Sequence, residues 1–98
     1  MPTKDRTEFL HEQLLDPEFA AEYMKAVLED HDHPTEILLA LKNIVQAYGG
    51  PNKIAEVCGI DRSHLYKLFR GENLPRVDTF IAICRAVNLD IGILPKST

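Results

Sequence analysis

The chain has 98 residues, 45% hydrophobic and 27% charged, which is one domain's worth of ordinary globular sequence with a modest core. No apolar run approaches the roughly 20 residues of a membrane helix, and MPTKDRTEF lacks the apolar centre of a signal peptide, so no membrane partner and a cytoplasmic location are expected. The net charge of −4 is unevenly spread: residues 1–36 hold three Lys/Arg and ten Asp/Glu (−7), residues 37–98 hold eight and five (+3).

An acidic arm therefore precedes a mildly basic body. The expected division is a helical arm over 1–34 and a second part over 35–98, forming one compact domain overall. Within the arm, Thr7 to Leu15 carries Phe9, Leu10 and Leu14 on one side, and Asp5 and Glu8 have the spacing of a capping box. Asp16 then stands as an N-cap, with Pro17 at the first helical position and Glu18 in the first turn. Phe19, Ala20, Tyr23, Val27 and Leu28 recur at helical spacing, and Met24 and Ala26 widen that apolar face to about Asp30. His31, Asp32 and His33 fall in a turn without a second ligand cluster, so no metal or cofactor is expected there.

Pro34 and Thr35 open a helix to about Tyr48 with Ile37, Leu38, Leu41, Ile44, Val45 and Tyr48 inward. Gly49-Gly50 ends it. GPNKIAEVCGIDRSHLYKLFR, residues 50–70, then reads as a helix-turn-helix. Pro51 opens its first helix, which stops near Cys58; Gly59 supplies a left-handed corner, and Asp61 caps a second helix from Arg62 to Arg70. Ile54, Ala55, Cys58, Ile60, Leu65 and Leu68 form the inward set. Arg62, Ser63, Tyr66, Lys67 and Arg70 form the outward set, with His64 near its edge, mixing polar groups that suit base edges with cations that suit phosphates.

A polar loop, GENLPR, leads to a helix with Val77, Phe80, Ile81, Cys84 and Val87 inward. Arg76 is a poor N-cap for it. Leu89, Ile91 and Ile93 alternate in the tail, as either a short strand that needs a partner or coil packed on the core. The two cysteines, Cys58 and Cys84, fall on apolar helical faces and read as reduced thiols. The fold class is all-α, of five to six helices. No catalytic set is visible: Ser63 and His64 are helix neighbours pointing different ways, with no third group to orient the imidazole.

Helix, helix-turn-helix, polar loop and helix over 35–88 resemble the phage-repressor-like DNA-binding domain of the lambda repressor/Cro (XRE) group. AEVCG with Ile60, Leu65 and Leu68 carries the match, and LYKLFRGENLPRVDTFIAICRAVNL looks like its second half. DPEFAAEYMKAVLED followed by LLALKNIVQAYGG further resembles HigA-like antidote proteins of type II toxin–antitoxin modules, over roughly residues 14–94. The resemblance implies base reading by Arg62, Ser63 and Lys67. It implies phosphate contacts from Asn52, Lys53, Arg70, Asn73 and Arg76, and a sugar–phosphate or thymine-methyl contact from Tyr66. Pro51 departs from the group's pattern, which often has a bracing Gln there.

The implied function is a homodimeric antitoxin. It would bind double-stranded operator DNA, repress its own operon and neutralise a basic, ribonuclease-type toxin through the acidic arm. Dimerisation is placed on Phe80 to Leu94. The alternatives are a solitary phage-type regulator without a toxin and a protein-interaction module that leaves DNA alone. An enzyme is not expected.

Overall fold

The computed structural model of the chain describes residues 5–30 and 33–96, and among them it has six α-helices and no strand. They are α1 (Arg6–Leu14), α2 (Pro17–Asp30), α3 (Pro34–Ala47), α4 (Pro51–Cys58), α5 (Arg62–Phe69) and α6 (Val77–Ala86). The expected helix ends agree to within a residue, except that the last helix, expected to run through VDTFIAICRAVN, ends two residues earlier at Ala86. His31 and Asp32, two members of the expected turn, lie outside the described residues.

The starts of the first five helices have local causes. The Glu8 N–H donates to Asp5 Oδ1 at 2.8 Å, which opens α1. Asp16 Oδ1 accepts from the Glu18 N–H at 3.0 Å ahead of α2. Proline stands at the beginning of α3 and α4, where its missing N–H leaves no bond unmade. The ends of α3 to α6 share one device, in which an N–H beyond the helix reaches back five residues to a carbonyl of the last turn. It appears as Gly50 to Val45, Ile60 to Ala55, Glu72 to Lys67 and Leu89 to Cys84, all between 2.9 and 3.0 Å. At the end of α6 the left-handed residue required by this turn is Asn88, with φ of 66°.

The centre of the fold is α3. It packs against α1, α2, α4 and α5, and Leu41, Ile44 and Val45 on it have no exposed surface. One hydrophobic core includes Leu14, Ala20 and Met24 of the first two helices together with Ile54, Leu65, Leu68 and Ile83 of the last three. Two polar latches reinforce this packing. The Tyr48 hydroxyl donates to the Leu15 carbonyl at 3.1 Å, and Asn43 Nδ2 donates to Tyr23 Oη at 2.9 Å. The acidic first third of the chain is thus bound into the core.

Several side chains depart from the expected phase. Val77, expected inward, is exposed as the first residue of α6. Ile83 takes the buried position instead, completing the Phe80, Ile83, Cys84, Val87 stripe. Phe9 and Leu28 are also about half exposed, since the α1 and α2 faces that meet α3 are narrower than their apolar content. In the tail Leu89 is buried and Ile91 half exposed, while Ile93 is 96% exposed; the segment is coil. An alternating run in one chain has no ladder to join.

Candidate nucleic-acid interface

The site is built on the α4–turn–α5 unit. After Cys58 the chain turns at Gly59, whose φ of 71° is left-handed. Asp61 then accepts the Ser63 N–H at 2.8 Å and starts α5. Leu65 and Leu68 are fully buried against α3 and α4, each contributing roughly 2 kcal/mol of apolar burial. This anchoring fixes the rotation of α5 about its axis. Arg62 and Tyr66, and Ser63, Lys67 and Arg70, consequently form two adjoining rows at i, i+4 and i+7 spacing, all exposed. His64 is exposed as well.

The remaining expected contacts surround this helix in sequence. Asn52 and Lys53 lie exposed in the first turn of α4. The Lys53 stem crosses Gly49, where an added Cβ would meet Lys53 Cδ at 2.5 Å. Asn73 is exposed in the loop after α5, and Arg76 is exposed at the N-cap of α6, without a side-chain capping bond.

Three of these nine side chains already have partners inside the chain. Arg70 Nε and Nη2 donate to Glu72 Oε2 at 3.2 and 2.9 Å. Arg76 Nε lies 3.4 Å from Asp78 Oδ1. Ser63 Oγ donates to Asp61 Oδ1 at 2.7 Å. Those bonds to the Ser63 hydroxyl and N–H, followed by the nearby His64 and Arg62 charges, hold the Asp61 carboxyl below its usual range. Reading the sequence for cations alone missed Glu72 and Asp78. Their signal was present: each stands two residues after an arginine assigned to phosphate.

Away from α5, apolar surface remains uncovered. A cavity of about 480 Å³ opens between α2, α6 and the tail, lined in part by Leu28, Phe80, Ile91 and Leu94 and edged by Lys25, Glu29 and Asp90. A second, of about 310 Å³, shares Leu28 and Phe80 and continues to Leu74 and Val77. Among the described residues no three His, Cys, Asp or Glu side chains converge as a metal site would require, and no helix is long and apolar enough to cross a membrane.

Compared with known families, residues 5–95 match the model of a family described as "probable addiction module antidote protein". The chain belongs to that family. The match spans all six helices. No curated protein and no solved structure gives a match. An addiction-module antidote implies a toxin that it counters, so the antidote assignment carries a toxin partner in general terms.

Proposed function

We propose that this antidote protein binds operator DNA through α5, represses its own operon, and neutralises a basic, ribonuclease-type toxin. The observation that carries the DNA reading is the exposed row of Arg62, Ser63, Tyr66, Lys67 and Arg70, on a helix whose opposite side is locked by Leu65 and Leu68. A short helix presenting cations and hydrogen-bonding groups next to its capped start has the composition of a major-groove reader. Asn52, Lys53, Asn73 and Arg76 flank it as phosphate contacts.

One such helix reads few base pairs, so two copies reading two half-sites complete the function. The second copy belongs on the apolar strip from Leu74 and Val77 across Phe80 to Leu94. Its edge carries Lys25 as well as Glu29 and Asp90, and charges of both signs can pair across a two-fold axis. The toxin belongs on the arm, where Glu18, Glu22, Glu29 and Asp30 are exposed on α2 and Phe9 is exposed on α1. Complementary charge would speed that encounter, and apolar contacts would supply affinity.

The test has two arms. The chain is titrated onto duplex DNA from its own promoter over a salt series, and binding through phosphates gives a steep negative slope of log K against log salt. The chain is also co-expressed with the protein encoded beside it. A salt-sensitive shift with a stable complex supports the whole reading. A shift without a complex leaves a solitary regulator, and a complex without a shift leaves a protein-interaction module.

A further inference from the structure

The geometry points to Ser63 as the reader of a base amino group, adenine N6 or cytosine N4, because its own proton is committed to Asp61. This inference rests on the DNA-binding reading and deepens it. A serine hydroxyl has one proton and two lone pairs. Here Oγ lies 2.7 Å from Asp61 Oδ1, a separation typical of a hydroxyl donating to a carboxylate. The Ser63 N–H converges on the same oxygen at 2.8 Å, so the side chain is held at both ends of its Cα–Oγ span. An ionised carboxylate has no proton to give, and the bonds that Asp61 accepts keep it ionised. The direction of the O–H···O⁻ bond is therefore fixed, and Ser63 meets the outside with lone pairs alone.

That restricts what it can recognise. In the major groove only adenine N6 and cytosine N4 offer protons; guanine presents N7 and O6, and thymine presents O4 and a methyl group. A serine free to rotate serves either class. The Asp61 bond removes one of them. Phosphate oxygens are acceptors too, so the same bond makes Ser63 a poor backbone contact. Its neighbour Arg62 has the opposite character, all donors and no acceptor, which suits guanine. Two consecutive residues at the start of α5 thus carry complementary halves of a reading code.

The test uses the full chain. Duplexes are first enriched from a random library with the wild-type protein. In the best duplex each adenine is then replaced by purine deoxyriboside, and each cytosine by the pyrimidinone that lacks N4. At one position the missing amino group should weaken wild-type binding roughly 3- to 10-fold, the loss of one hydrogen bond. The same replacement should leave S63A unaffected and still be felt by S63T. S63A keeps the Asp61 bond to the residue 63 N–H, and its melting curve checks that α5 is intact. Identical responses of wild type and S63A at every position overturn the inference and leave the DNA reading standing. A Ser63-dependent preference for guanine or thymine overturns it as well. Failure to enrich any duplex removes the DNA reading and this inference with it.

Discussion

Single residues at the corners decide whether α5 is held in place. At Gly59 an added Cβ would meet nothing within 4 Å, so the penalty for a side chain is wholly conformational. Gly59→Ala should cost about 1–2 kcal/mol in chemical denaturation, the usual price of a left-handed alanine. Asn88→Gly, at the same kind of corner, should be neutral or slightly stabilising. The two thiols differ in a way that labelling can read. Cys58 is partly exposed, and its Sγ donates to the Ala82 carbonyl at 3.5 Å. Cys84 is buried, and burial pushes its thiol up to about 11 from an ordinary 9.0. The folded chain therefore holds the Cys84 proton more tightly than the unfolded chain does. That contribution is complete below about pH 9 and is lost as pH rises toward 11. At pH 8, iodoacetamide should modify Cys58 in the native protein and reach Cys84 only under denaturing conditions. Equal rates in the native state would refute this placement.

Between α5 and α6, the loop sets how much of its positive charge is available. Arg70 is engaged by Glu72 in an exposed pair, which adds little to stability but keeps a carboxylate beside a proposed phosphate contact. Glu72→Gln should tighten DNA binding several-fold at low salt and steepen the salt slope by about one. An unchanged slope would mean that this loop faces away from the duplex. The elements themselves were legible because their causes are local: Asp5, Asp16 and Asp61 as caps, prolines at first positions, and apolar residues at helical spacing. Which apolar residue ends up covered was less legible. Val77 and Ile83 both fit the period of α6, and only the position of α4 beside it selects Ile83. The nine candidate contacts were readable as exposed polar positions. Their partners were hinted at by the i, i+2 spacing of Arg70–Glu72 and Arg76–Asp78, but whether such a pair closes depends on the path of an irregular loop.

For the whole molecule, the central question is whether the first two helices are an appendage. Leu14 has no exposed surface and lies in the same core as Leu41, Leu65 and Ile83. Leu14→Ala should therefore destabilise the entire chain by roughly 2–5 kcal/mol, with circular dichroism and Tyr fluorescence melting together. A first transition confined to the arm would contradict the shared core. For the same reason, removing the first 30 residues tests folding more than toxin binding, and surface substitutions on α2 are the cleaner probe. The latches from Tyr48 to Leu15 and from Asn43 to Tyr23 add a further consequence. Because α1 and α2 are fastened to α3, the acidic side chains they carry hold fixed positions relative to the helices that follow. The molecule is then a permanent electric dipole. A polyanion within about 8 Å at physiological ionic strength exerts a torque on it, turning the cationic side forward before any contact forms.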